Sequence, residues 1–120
     1  MCIFCEKPQT VIVENDYFYA MYDGFPVSEG HGLIISKRHV ETYFDLEKKE
    51  HDALYAMIHY IKKHLDERFH PDGYNIGNNN GKYAGQSIMH FHLHIIPRYK
   101  GDVLHPKGGV RGVIPSKRSY

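Results

Sequence analysis

The sequence has only two cysteines, Cys2 and Cys5, too few for the disulfide framework of a small secreted domain. No apolar run is long enough to cross a bilayer, and the opening Met1-Cys2-Ile3-Phe4-Cys5-Glu6-Lys7 lacks the hydrophobic stretch of a signal peptide. No internal repeat or linker divides the 120 residues. These absences lead to the expectation of a single domain over 1–120 in the cytoplasm. A formal net charge of +1 leaves no broad basic surface of the kind nucleic-acid binding requires, and no membrane partner is expected. The balance conceals one asymmetry. From Pro97 onward, Arg98, Lys100, Lys107, Arg111, Lys117 and Arg118 face the single acid Asp102, a basic tail over 97–120 that could be solvated or could cover a polyanion.

Histidine is abundant, ten in all, and its placement is informative. In His90-Phe91-His92-Leu93-His94-Ile95-Ile96, strict alternation sets three imidazoles on one face of a strand over an apolar floor of Phe91, Leu93 and Ile95. Imidazole titrates near neutrality, so such a row can supply a nucleophile, a proton carrier or a metal ligand. A half-exposed strand with a polar face is the plainer alternative, and strict alternation argues against it.

The rest reads as an α+β domain with a five-stranded antiparallel sheet and one long helix. Thr10–Glu14 and Tyr17–Tyr22, parted by Asn15-Asp16, form a hairpin; Gly30–Ser36 is a third strand, Tyr74–Asn78 a fourth, and Gln86–Pro97 the fifth. Asp45 is placed to cap a helix running to about Phe69, with Leu54, Met57, Ile58, Ile61 and Leu65 as its buried stripe, and His70-Pro71-Asp72-Gly73 ends it. His51, His59, His64 and His70, on or beside that helix, are read as solvated or locally bonded.

Between the last two strands, Asn78 to Ser87 is a polar loop leading into the histidines. Gly85 permits close backbone approach, Gln86 and Ser87 carry side-chain donors and Asn79 a further amide, a composition suited to an anion. Cys2-x-x-Cys5 favours zinc or redox chemistry in a reducing compartment. It supplies half a tetrahedral site, so two further ligands would be histidines.

These residues together resemble the histidine triad (HIT) superfamily of nucleotide hydrolases and transferases. The resemblance rests on His90–Ile96, the Tyr22-Asp23 strand end, Gly30–His39, and the Asn79–Ser87 loop. It implies the HIT-like fold and a two-step reaction in which His92 attacks the α-phosphorus of a nucleotide and water releases the nucleotidyl group. It implies phosphate contact and proton handling for His94, support from His31, ribose binding by Asp23, and substrate contacts for Asn79, Gly85, Gln86 and Ser87. It also implies that Cys2, Cys5, His39 and His90 hold a structural zinc, with 1–9 as the zinc-binding segment, and that the protein is a homodimer. The chemistry itself needs no cofactor.

Within the superfamily, Pro97-Arg98-Tyr99-Lys100-Gly101-Asp102 resembles a run of the fragile histidine triad hydrolases, and the chain lacks the tryptophan-containing tail usual in the phosphoramidase branch. The expected activity is therefore cleavage of dinucleoside polyphosphates such as diadenosine tri- or tetraphosphate, with Arg98, Lys107 or Arg111 over the bridge. A purine nucleoside phosphoramidase and a dinucleoside polyphosphate phosphorylase are the alternatives.

Overall fold

A computed structural model describes residues 2–120. Five antiparallel strands, β1 (Val13–Glu14), β2 (Phe18–Tyr22), β3 (Gly32–Ser36), β4 (Gly73–Gly77) and β5 (His92–Arg98), form one sheet in the order β1-β2-β3-β5-β4. The helix α1 (Lys48–Phe69) lies on one face. The expected architecture is the one observed, an α+β HIT-like fold with one long helix.

Registry explains how the two faces differ. Ile34 pairs with Leu93, and Ala20 with Ile34, so these side chains project together toward the helix. There they meet Leu54, Met57, Ile61 and Leu65, with Phe18, Phe91 and Ile95 completing the core. Each such side chain, buried fully, contributes about 1.5 to 3 kcal/mol. On the opposite face Ile35 pairs with His92 and Leu33 with His94. That face is not bare, because Phe4 of the N-terminal segment packs with Tyr19, Leu33 and Ile35 into a second, smaller core.

Several local expectations are corrected by side-chain chemistry. Asp45 does not cap α1: its carboxylate accepts from Thr42 N–H at 3.1 Å and closes a separate 3-10 turn, Tyr43–Asp45. Glu47 is the N-cap instead, its N–H donating to Glu50 at 2.8 Å. His70 ends α1 in the left-handed conformation, with Pro71 following. The fifth strand begins at His92 rather than Gln86, since 86–91 form a loop. Pro97 and Arg98 belong to β5, so the tail proper starts at Tyr99. The Asn15 turn does form, its side-chain oxygen accepting from Tyr17 N–H at 2.9 Å and Phe18 N–H at 2.8 Å.

Candidate active site and metal centre

β5 carries His92 and His94 on the open face, and the loop before it carries His90. Nδ1 of His92 donates to the carbonyl oxygen of His90 at 2.8 Å. A neutral ring protonated at Nδ1 keeps a lone pair on Nε2, the form required of a nucleophile. His92 stands beside His94, with ring centroids 5.4 Å apart.

Hydrogen bonds also fix the tautomers of the second pair. The backbone N–H of Val27 donates to Nδ1 of His31 at 3.1 Å, so His31 carries its proton on Nε2. That proton is shared between Nδ1 of His94 at 2.9 Å and the Asp23 carboxylate at 3.4 Å. His94, accepting on Nδ1, therefore presents a proton on Nε2. Burial, and then the neighbouring His92 and His31, push His94 below its ordinary range. Burial likewise lowers His31, against the opposing pull of Asp23. Both rings are thus neutral donors near neutral pH.

Backbone geometry delivers these residues. Asp23 N–H donates to the His31 carbonyl at 2.9 Å and joins the ends of β2 and β3. Gly30, at φ +88°, must be glycine, because a Cβ there would lie 2.8 Å from the Phe69 ring at the end of α1. His31, Asn79 and His94 share a cavity of about 500 Å³ with Val27, Ile96 and the tail residues Val110 and Val113. Gly85, in a left-handed conformation (φ +97°), closes the 3-10 turn Lys82–Ala84 and passes close to Asn79.

Two expected phosphate contacts have other partners. Gln86 is buried: its amide group donates to the carbonyls of Glu41 at 2.7 Å and Ile88 at 3.2 Å, and its oxygen accepts from Gly81 N–H at 2.8 Å. It is the clamp of the loop, with both amide protons engaged. Arg98 makes a two-pronged pair with Asp102, at 2.8 and 2.9 Å, and donates to Asn75 at 2.7 Å. The Pro97–Asp102 run is thereby explained as a stapled turn. Lys107 and Arg111 each lie over the Tyr120 ring at 4.7 Å, so these two cations pack on the tail itself. Ser87 lines a different cavity, of about 330 Å³, beside Cys2 and His39.

At the metal centre, Cys2, Cys5, His39 and His90 place one ligand atom each within 4.8 Å of the others. Nδ1 of His90 is 3.2 Å from Cys2 Sγ, 3.5 Å from Cys5 Sγ and 3.1 Å from His39 Nδ1, while Cys5 Sγ lies 3.1 Å from His39 Nδ1. A tetrahedral zinc with bonds of about 2.0 to 2.3 Å holds its ligand atoms roughly 3.3 to 3.8 Å apart; three of the four separations are shorter by a few tenths of an ångström, so these donors fit a zinc after a small outward shift. Nε2 of His90 donates to the Ser36 carbonyl at 2.7 Å, the outer bond that a metal-binding histidine makes with its other nitrogen. Asp23, His31 and His94 also cluster closely enough for a metal. There the far nitrogen of His31 accepts a backbone N–H instead of donating, which is wrong for a ligand.

A family profile described as HIT domain matches residues 5–101. The chain belongs to the HIT family. An uncharacterised HIT-like protein of Methanocaldococcus jannaschii is 41% identical over 85% of this chain and 82% of its own. An adenosine 5'-monophosphoramidase of Saccharomyces cerevisiae is 38% identical over 81% of this chain and 62% of its own, and an adenylylsulfatase of Arabidopsis thaliana 35% identical over 86% and 55%. The crystal structure of a zinc-bound histidine triad family protein from Mycobacterium smegmatis superposes with a TM-score of 0.77 at 34% identity, covering 87% of this HIT protein and 79% of that one.

Residue spacing did not single out Phe4, whose ring centroid lies 5.0 Å from that of His92. Nor did it single out Val27, Val110 or Val113. Phe4 was visible only as a residue enclosed by the two cysteines.

Proposed function

We propose that this HIT protein hydrolyses nucleoside monophosphoryl compounds at the α-phosphorus, through a covalent nucleotidyl intermediate on Nε2 of His92. The observation that carries this is the tautomer of His92, held with its lone pair outward by the His90 carbonyl. Nε2 attacks phosphorus and the bond to the leaving group breaks; the leaving atom takes its proton from solvent, while the neutral His94 keeps its Nε2 proton and donates it as a hydrogen bond to the phosphoryl group. The ring of His92 is then cationic, and its bond to the His90 carbonyl strengthens as charge develops. Water attacks next, releases its proton to solvent, and expels His92 as the P–N bond breaks, returning the ring to its neutral Nδ1–H form. Asp23 serves the ribose hydroxyls beside His31, and Asn79, with Gly85 close to it, serves the phosphate.

Phosphoramidates are the substrate class best supported. Two relatives of this chain bear the names adenosine 5'-monophosphoramidase and adenylylsulfatase. A dinucleoside polyphosphate would need cations over its bridge, yet Arg98, Lys107 and Arg111 are engaged elsewhere. The test is to incubate wild type and His92→Asn with a lysine-linked adenosine phosphoramidate and with diadenosine tetraphosphate, with and without inorganic phosphate. Faster wild-type turnover of the phosphoramidate supports the reading. Preference for the tetraphosphate returns the protein to the polyphosphate branch, and adenosine diphosphate formed only with phosphate marks a phosphorylase.

Cys2, Cys5, His39 and His90 are proposed to hold a structural zinc, a closed four-ligand set that ties the N-terminal segment to the sheet. Two further proposals are the cytoplasm as location, where both thiols stay reduced, and a homodimer, for which light scattering is the test. Among the described residues no helix is long and apolar enough to cross a membrane.

A further inference from the structure

We propose that Phe4 is a positioning residue for His92, carried onto the nucleophile by the Cys2-x-x-Cys5 turn. The inference rests on His92 as nucleophile and extends it to a residue far away in sequence.

One hydrogen bond to the His90 carbonyl sets which nitrogen of His92 is protonated, but a single bond leaves the ring free to tilt. Packing must supply the remaining constraint. Phe4 is tilted 57° against His92 with centroids 5.0 Å apart, and His94 stands on the ring at 69° and 5.4 Å. Phe4 also meets the ring of His90 edge-on at 6.2 Å, so it packs on the side chains of both residues that share the tautomer-setting bond.

Phe4 is itself held. It is only 8% exposed and belongs to the small core with Tyr19, Leu33 and Ile35. The hydroxyl of Tyr19 donates to its carbonyl at 2.8 Å, and Cys5 N–H donates to the Cys2 carbonyl at 3.3 Å, closing the turn around it. The cysteines that fit a metal thus fix the backbone on both sides of the side chain that packs on the nucleophile. An exposed aromatic between two ligands would have no such role.

The test compares Phe4→Leu and Phe4→Met with wild type in four readouts: metal content, thermal midpoint, kcat and KM on a lysine-linked adenosine phosphoramidate, and the ¹⁵N-detected tautomer of His92. The expected result is retained metal, KM within about twofold, kcat down roughly ten- to a hundredfold, and a mixed His92 tautomer. Unchanged kcat with an unchanged tautomer in a metal-loaded variant would overturn the proposal. So would a rate loss seen only where metal has also been lost, which would assign Phe4 to the metal centre. A mixed tautomer with unchanged kcat would instead count against His92 as nucleophile.

Discussion

Nε2 of His31 donates to Nδ1 of His94 across 2.9 Å, and the Val27 N–H behind it determines the direction of that bond. The nitrogen on which His94 carries its proton is thus specified by a backbone amide two hydrogen bonds away. Replacing His31 with Gln removes the relay and is expected to lower kcat about ten- to a hundredfold with little change in KM. Burial lowers both His31 and His94. Protonation of the His31–His94 pair is therefore expected only below 6.5, the ordinary histidine value, and ¹⁵N shifts of the two rings check it: a pair already half-protonated at 6.5 would contradict the relay.

The metal centre yields a second prediction. Because four ligands converge from the N-terminal segment, the β3–α1 connection and the approach to β5, removing one loosens three parts of the chain. His39→Ala is expected to hold less than one zinc per chain and to unfold about 5 to 10 °C lower. Metal content by mass spectrometry and a thermal scan check it; an unchanged midpoint in a zinc-free variant would dismiss a structural role.

A third concerns Glu50, 2% exposed at the start of α1 and bonded to Arg38 at 2.6 Å. Arg38 precedes His39, and the Ser36 hydroxyl donates to the Arg38 carbonyl at 2.8 Å, so this pair holds the loop that presents the ligand. The Arg38 hydrogen bond lowers the Glu50 carboxyl below its ordinary 4.5. A lowered acid stabilises the fold above 4.5, and that contribution disappears as pH falls through the lowered value. Glu50→Gln is expected to unfold about 5 °C below wild type at pH 7, with the gap shrinking below pH 4.5. A gap that is constant across that range would show that the charge is not responsible.

Much of this was legible in the sequence. Alternation in 90–96 separated a histidine face from a core face, and the helical stripe identified which side α1 covers. That Cys2, Cys5, His39 and His90 come together was legible too, but only through family resemblance, because Cys2 and His90 are 88 residues apart. What spacing cannot encode is which acceptor a polar side chain finds. Gln86 has the composition of a phosphate donor, yet Glu41, 45 residues earlier, takes its proton. Arg98 has the charge for a polyphosphate, but Asp102 lies one turn of chain away and Asn75 on the adjacent strand. Partners supplied by the fold win where they satisfy the group without desolvating a free charge.

A fourth prediction follows for the tail. Val110 and Val113 line the cavity with His94, whereas Lys107 and Arg111 lie on Tyr120. Replacing Lys107 and Arg111 together by Ala is expected to leave KM for the phosphoramidate within about twofold. Val113→Asp places a carboxylate near the substrate's phosphate and should raise KM roughly tenfold, about 1.4 kcal/mol of binding. Steady-state kinetics on both variants checks this; the reverse pattern would restore the tail as a cationic cover.

The most direct test of the central claim is rapid-quench mass spectrometry of the protein mixed with a lysine-linked adenosine phosphoramidate and stopped in base, which preserves a P–N bond to histidine. The account predicts a peptide spanning His92 heavier by one adenylyl group, labelled on that ring and absent from His92→Asn. An adduct on His94 or His31, or turnover by His92→Asn at the wild-type rate, would contradict it.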